Sequence, residues 1–154
     1  MFFFRHPDFE DDTLTLYPIH FTPADRRLGF GREQVWRITL KNQRKEIGQI
    51  SFRNGESQGI YYYGHIGYHI APSWRGHGYA GRACQLIRNE ILREGKNSVI
   101  ITCDPDNIAS KKTCQRLGCL LEGEVSVPRT LQERFDISDR KLRFIWMLTS
   151  ENGA

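Results

Sequence analysis

Residues 68–81 read YHIAPSWRGHGYAG, and this stretch decides the fold. It begins in a run of aromatic and β-branched residues, passes through Pro72, and reaches two spaced glycines, Gly76 and Gly78. Apolar residues then recur at the spacing of one face of a helix; they are Tyr79, Ala83, Leu86, Ile87 and Ile91. The stretch therefore predicts a strand, a glycine-rich loop and a helix that ends before Gly95.

A strand–glycine–helix junction of this kind is suited to hold an anion. The first N–H groups of a helix have no partner within the helix and carry a partial positive charge. Glycines lack a Cβ, so a phosphate can approach that backbone closely. The loop contains no Gly-Lys-Ser/Thr, so it is not a P-loop, and no βαβ unit opens at it, as a dinucleotide-binding fingerprint requires. We expect a pyrophosphate-bearing ligand here.

The rest of the chain predicts strands on both sides of this junction and a second helix after it. The predicted strands are 13–17 (closed by Pro18), 35–40, 46–53, a long strand at 60–71, a strand at 98–103 buried on both faces, 120–127 and 143–149. The second helix is predicted at 108–117, and the polar segment 23–34 reads mostly as loop. This order predicts an α/β fold with a mixed sheet.

Composition limits the class of protein. A chain of 154 residues is expected to form one domain, 1–154. The net charge of +4 is small and its clusters are short, so we expect a phosphate-bearing ligand and no nucleic acid. No apolar run approaches the roughly 18 residues of a membrane span. The apolar start, Met1 to Phe4, is shorter than the about 7–15 residues of a secretory signal, so neither membrane nor export is expected.

Four cysteines lie at Cys84, Cys103, Cys114 and Cys119. They form no CxxC pair, and no histidine stands at a zinc spacing from them, so no metal is expected. Three lie in apolar segments, which is typical of buried, reduced thiols in a cytoplasmic protein.

A second motif follows at residues 107–119, which read NIASKKTCQRLGC. At this point the chain resembles the GCN5-related N-acetyltransferase (GNAT) superfamily, over about Leu14 to Leu148. The Arg/Gln-x-x-Gly-x-Gly/Ala loop of that family is matched by Arg75, Gly78 and Ala80. The Asn-x-x-Ala/Ser…Leu-Gly helix is matched by Asn107, Ser110, Leu117 and Gly118. The resemblance implies a mostly antiparallel mixed sheet flanked by helices, the acyl-CoA N-acyltransferase fold.

The resemblance also implies acetyl-CoA as co-substrate. Two strands are expected to splay apart, with the pantetheine arm between them. The implied cofactor-binding residues are Tyr68, His69 and Ile70 on one strand, Thr102 and Cys103 on the other, Arg75, Gly76, His77, Gly78, Tyr79, Ala80 and Gly81 in the loop, and Asn107 and Ser110 in the second helix. Asn107 is equally suited to be a helix N-cap, and Ser110 to be an ordinary first-turn residue.

The implied reaction is direct attack of a primary amine, on a small molecule or a protein, on the thioester. An oxyanion donor is expected from a backbone N–H near Ile70. The alternative is a non-catalytic acetyl-CoA- or CoA-binding sensor or interaction module. A homodimer through Met1 to Phe4 and the last strand is a further hypothesis.

The catalytic residues are where this sequence departs from the family. Many members place a tyrosine seven residues after the motif asparagine as general acid, and here that position is Cys114. Cys114 is either that acid or a core residue. The candidate bases are His65 and His69, which share one face of the predicted long strand; each is alternatively a hydrogen-bonded structural histidine.

Overall fold

The computed structural model describes residues 6–25, 27 and 31–149. The strands are β1 (Phe9–Glu10), β2 (Leu14–Thr22), β3 (Glu33–Leu40), β4 (Glu46–Arg53), β5 (Ile66–Ile70), β6 (Ser98–Cys103), β7 (Leu120–Ser126) and β8 (Arg140–Met147). The α-helices are α1 (Gln58–Tyr63), α2 (Tyr79–Arg93), α3 (Ile108–Arg116) and α4 (Arg129–Phe135). A short 3₁₀ turn, Pro72–Trp74, precedes the glycine loop.

The strands form two antiparallel sheets. Strands β1 to β5 make a five-stranded sheet in chain order, and the other sheet has the order β6-β8-β7. The expected hairpin joins β3 to β4 through a turn in which Asn42 takes a φ of 64°. With helices packed against this mostly antiparallel framework, the expected α/β class is confirmed.

The two sheets meet where β5 begins. The His65 N–H donates to the Ile100 carbonyl at 2.8 Å, and the Ile100 N–H donates to His65 Nδ1 at 2.9 Å. From there β5 pairs with β4 while β6 pairs with β8. The strands therefore diverge into a gap, at the position where the family resemblance predicts splayed strands.

Helix α2 supplies much of the core. Ala83, Ile87 and Ile91 are fully buried, on the face that the helical spacing predicts, while Tyr79 and Leu86 are half-buried against the same core. Each large apolar side chain buried in this way contributes about 1.5–3 kcal/mol of transfer free energy. Strand β6 differs from its prediction, because burial alternates along it: one face lies in the core and the other is half-buried.

The predicted long strand at 60–71 is wrong in its first half. Residues 58–63 form α1, the chain turns at Gly64 with a φ of 85°, and β5 starts only at Ile66. The Ser57 hydroxyl caps this helix by accepting from the Ile60 N–H at 3.2 Å. A serine N-cap and a C-terminal glycine therefore outweigh the β-propensity of the three tyrosines between them.

Other boundaries also differ from the prediction. Strand β2 continues through Pro18, with a register shift between Pro18 and His20 that accommodates the missing N–H. Strand β8 begins at Arg140, and α4 lies in the segment that precedes it. The short strand β1 carries no signal long enough to predict. Within the predicted loop at 23–34, positions 26 and 28–30 lie outside the described residues.

The hypothesis of a homodimer stays a prediction. Met1 to Phe4 lie outside the described residues. The last strand, β8, lies between β6 and β7, so both of its backbone edges are already paired within the chain. In the part of the chain that the structure describes, no helix has the length and apolar character to cross a membrane.

Replacing the α1 cap tests the corrected local structure. Ser57→Ala removes the acceptor of the Ile60 N–H, so we expect the free energy of unfolding to fall by about 1 kcal/mol. Chemical denaturation measures this change. Ser73→Ala, an exposed serine in the 3₁₀ turn, is the matched control and should leave stability unchanged. Equal stabilities for the two variants would contradict the capping contact.

Candidate functional site

The glycine loop leaves the N-terminus of α2 open. Gly76 and Gly78 take φ values of 86° and 75°, and Gly78 is the N-cap. No side chain caps this end among the described residues, and the first turn of α2 carries no acidic residue. At Gly76 no atom lies within 4 Å of where a Cβ would stand. The helix end at which the sequence predicts an anion therefore presents N–H groups without a capping side chain, beside open space.

A cavity of about 460 Å³ opens on this helix end. The predicted residues that line it are Tyr68, His69, Ile70, Arg75, Gly76, Gly78, Tyr79, Ala80, Asn107 and Ser110. His77 and Gly81 do not line it, and the His77 ring instead stacks on Tyr79 with 5.2 Å between centroids. Sequence reasoning missed Trp74, in the 3₁₀ turn, and four residues of α3 that line the cavity because this helix packs beside the loop: Ile108, Ala109, Thr113 and Arg116.

The free edge of β5 faces the gap. Antiparallel pairing turns alternate backbone groups of a strand to opposite sides. The His65 carbonyl and the Ala71 N–H both bond to β4, so the backbone groups of Tyr68 and Ile70, at alternate positions, face β6. The Ile70 carbonyl accepts from Arg75 Nε at 2.8 Å. Arg75 thus ties the glycine loop to the end of the strand.

A second cavity, of about 230 Å³, lies between β5 and β6. Thr102 and Cys103 line it, as do the charged residues Arg53, Asp104 and Lys141. Hydrogen bonds from Lys141 Nζ, at 2.8 Å, and from Ser138 lower the pKa of Asp104 and keep its carboxylate ionised. Tyr68, Asn107 and Ser110 line both cavities, so these three side chains form the boundary that the two spaces share.

Two hydroxyl groups stand at this boundary. Tyr68 Oη lies 2.7 Å from Ser110 Oγ and 3.9 Å from Cys114 Sγ. Asn107 caps α3, because its Oδ1 accepts from the Ser110 N–H at 3.1 Å. Burial raises the pKa of Tyr68, so its phenol stays protonated at neutral pH. The site therefore holds a neutral hydroxyl pair fixed from a strand on one side and a helix on the other.

Cys114 is buried in the core behind the hydroxyl pair. Contact with Cys119 and burial raise its pKa, so the thiol gives up its proton less readily than a free cysteine. The contact with Cys119 follows from the way α3 ends: Gly118 has a φ of 77°, and the Cys119 N–H donates to the Cys114 carbonyl at 2.9 Å. The core interpretation of Cys114 is supported, and its role as the acid is not.

His65 corrects an expectation. It precedes β5, is buried, and lines neither cavity. Its Nδ1 accepts from Ile100, so Nε2 carries the proton and donates to the Gly55 carbonyl at 2.9 Å, with Glu56 Oε1 at 3.1 Å. Both ring nitrogens are used in structure, which removes His65 from the candidate bases.

His69 remains a candidate base. It is exposed on β5 and lines the first cavity.

In the described ranges, no group of three or more His, Cys, Asp or Glu side chains is placed to hold a metal ion.

The acetyltransferase (GNAT) domain profile matches residues 4–120. This span is most of the chain, and the protein belongs to that family. It is 30% identical over 87 residues to the uncharacterized N-acetyltransferase YnaD of Bacillus subtilis (strain 168), which is 56% of this chain and 49% of that protein. The chain thus spans about half the length of the curated relative it matches.

Solved structures show the same fold. An acetyltransferase from Agrobacterium tumefaciens str. C58 superposes with a TM-score of 0.62 at 18% identity, covering 95% of this chain and 97% of that one. The microcin C7 self immunity acetyltransferase MccE, solved with acetyl-CoA and AMP, superposes with a TM-score of 0.56 at 24% identity, covering 75% of this chain and 61% of that one.

The burial of His65 predicts that the stability of the protein depends on pH. Burial, and then the nearby Lys96 charge, lower the pKa of His65 below its usual value, with Glu56 opposing the shift. The unfolded chain therefore binds more protons at this position as the pH falls below about 6.5, and the folded protein loses stability there by up to about 1.4 kcal/mol per pH unit.

His65→Asn has no titrating side chain at this position, so its free energy of unfolding should fall less steeply as the pH is lowered. Urea denaturation between pH 5 and pH 7.5 measures it, with His20→Asn, an exposed histidine, as the control that keeps the slope. An unchanged slope in His65→Asn would contradict the buried, neutral ring.

Proposed function

We propose that this protein is an acetyl-CoA-dependent N-acetyltransferase that acts on a primary amine of a small molecule or a protein. The observation that carries the proposal is that two neighbouring cavities share one boundary, formed by Tyr68, Asn107 and Ser110. One cavity opens on the free N-terminus of α2, which suits a phosphate, and the other reaches the same boundary through the gap beyond β5. Transfer between two substrates needs two adjoining spaces of this kind, whereas a protein that binds one ligand does not.

The first cavity has the features that acetyl-CoA requires. The N–H groups at the start of α2 suit the pyrophosphate, and the basic side chains of Arg75, Lys112 and Arg116 line the same space. The gap-facing backbone groups of β5 suit the amides of the pantetheine arm. Asn107 uses Oδ1 for its cap, which leaves its Nδ2 as a donor toward that arm. The bound acetyl-CoA in the microcin C7 immunity acetyltransferase supports this ligand on this fold.

The second cavity suits the amine. A lysine-like amine has a pKa of about 10.4, so roughly one molecule in a thousand is neutral at pH 7 and the site must help to remove a proton. Asp104 lines this cavity, and although Lys141 balances its charge, its carboxylate oxygens can still accept a hydrogen bond from the amine. His69, which lines the neighbouring first cavity, is the proposed base, directly or through water, and the gap-facing N–H of Ile70 is the proposed oxyanion donor.

The acetyl-CoA thioester supplies the activated acetyl group, and the chain's residues orient it and the amine. The four cysteines are free, which is consistent with a reducing compartment, so we place the reaction in the cytoplasm.

Thiol release tests the proposed activity. The purified protein is incubated with acetyl-CoA and a panel of primary amines: polyamines, amino-acid amides, peptides with a free N-terminus and lysine peptides. We expect at least one amine to give thiol release above the rate without protein, with the acetylated amine confirmed by mass spectrometry. Acetyl-CoA binding without turnover on any amine would favour the non-catalytic binding module.

Two glycine variants test the cofactor loop. Gly76 and Gly95 have φ values of 86° and 92°, with open space at the Cβ position in both cases. Alanine at either position should therefore cost a similar ~1 kcal/mol or more of backbone strain. Only Gly76 lines the first cavity. We expect Gly76→Ala to weaken acetyl-CoA binding by about tenfold or more, because a methyl group separates the phosphate from the N–H groups.

Isothermal titration calorimetry measures the Kd of both variants, and melting temperatures verify that the strain is matched. Gly95→Ala should bind acetyl-CoA as tightly as the original protein does. Equal dissociation constants for the two variants would place the pyrophosphate elsewhere.

A further inference from the structure

Two hydroxyl groups, those of Tyr68 and Ser110, lie at the boundary of the two cavities and form a hydrogen bond. Which of them donates depends on their relative strength as hydrogen-bond donors. Tyr68 reaches the boundary from β5 and Ser110 from the first turn of α3, with 2.7 Å between the oxygens. Each hydroxyl has one proton to donate and can accept in return. Either oxygen can be the donor on geometry alone; because a phenol is the stronger donor of the two, we assign the bond as Tyr68 donating to Ser110 Oγ, which leaves the Ser110 proton for a third group.

We propose that Tyr68 is a positioning residue in acetyl transfer, which aims the Ser110 O–H at the sulfur atom that leaves the acetyl group. The inference rests on the proposed function and goes beyond it, because it gives Tyr68 a role in the chemical step besides lining the cofactor cavity.

The surroundings of the pair support this role. Ser110 is 6% exposed, lines both cavities, and is held at its backbone by Asn107. Cys103 also lies near the Ser110 side chain, but a neutral thiol is a weak acceptor and a developing thiolate is a strong one. Donation by Tyr68 polarises the Ser110 hydroxyl and strengthens the bond it makes in turn.

Acetyl transfer needs no net proton from the hydroxyl groups of Tyr68 and Ser110. The amine nitrogen forms a bond to the acetyl carbon, the carbon–sulfur bond breaks, and its electron pair stays on sulfur. The amine proton leaves to the base and then to solvent, and the CoA sulfur, with a thiol pKa of about 8.5, takes up a proton from water on release. The hydroxyl pair supplies a hydrogen bond during the step, where an unpartnered anion away from water is costly.

Tyr68→Phe tests this role, because it removes the hydroxyl and keeps the ring. We expect kcat to fall by about 10- to 100-fold, less than or comparable to the loss of a direct oxyanion donor. The KM and calorimetric Kd of acetyl-CoA should stay within about twofold, since the backbone of β5 and the α2 N-terminus are unchanged. Tyr62→Phe is the matched control, because Tyr62 lines neither cavity, and its kcat should not change.

The double variant tests whether the two hydroxyls act together. If Tyr68 acts through Ser110, then Tyr68→Phe combined with Ser110→Ala loses no more kcat than Ser110→Ala alone. Multiplying losses would overturn the proposed pairing, as would full kcat in Tyr68→Phe, or a loss seen only in the Kd of acetyl-CoA. The melting temperature of each variant is measured to verify that it folds. If Tyr68→Phe does not fold, Ser110→Ala becomes the test, and an unchanged kcat in that variant overturns the proposal.

The unsubstituted protein is assayed first, so that a failure of the proposed N-acetyltransferase function can be distinguished from a failure of the role proposed for Tyr68. Absent turnover there removes the proposed function and this inference with it. Normal turnover with an unaffected Tyr68→Phe removes this inference alone.

Discussion

The contact between His65 and Ile100 is the constraint on which the cleft depends. The His65 N–H bonds to the Ile100 carbonyl, as in a strand ladder, but the Ile100 N–H bonds to the imidazole Nδ1 in place of a backbone carbonyl. The pairing stops there because the His65 carbonyl, which would continue the ladder, accepts from the Arg53 N–H at 2.8 Å and is turned toward β4. The two sheets are joined there and diverge afterwards, and the gap between them becomes available to ligands.

A gap of this kind leaves polar backbone exposed at a functional surface. The gap-facing groups of Tyr68 and Ile70 lack a neighbouring strand, and the first N–H groups of α2 lack a capping side chain in the described chain. Unpaired polar groups are costly in a folded interior, and a ligand with amides and phosphates satisfies the same groups. Arg75 reduces this cost at one end by bonding the Ile70 carbonyl, and it fixes the loop that presents the glycines.

The sequence predicts elements whose signals are local and periodic. The β4 and β6 bounds and the start of α2 agree with the structure, because their apolar spacing and flanking glycines or turn residues all point the same way. Helix α1 was missed because three consecutive tyrosines favour a strand, while a single serine cap decides the outcome. The role of His65 depends on Gly55 and Ile100, which are 10 and 35 residues away in the chain. The splay of the strands came from the family resemblance alone.

The hydroxyl pair shows why a role assigned by sequence position is incomplete. Position 114 holds a buried thiol in contact with Cys119, so a comparison restricted to α3 finds no acid there. Tyr68 and Ser110 are 42 residues apart, and only the closure of the gap by α3 brings their oxygens together. A leaving sulfur needs a hydrogen-bond donor at one point in space, and either wall of the cleft can supply it. In the role proposed for the pair, both walls would contribute: Tyr68 on β5 would orient the Ser110 hydroxyl, and α3 would hold it in place.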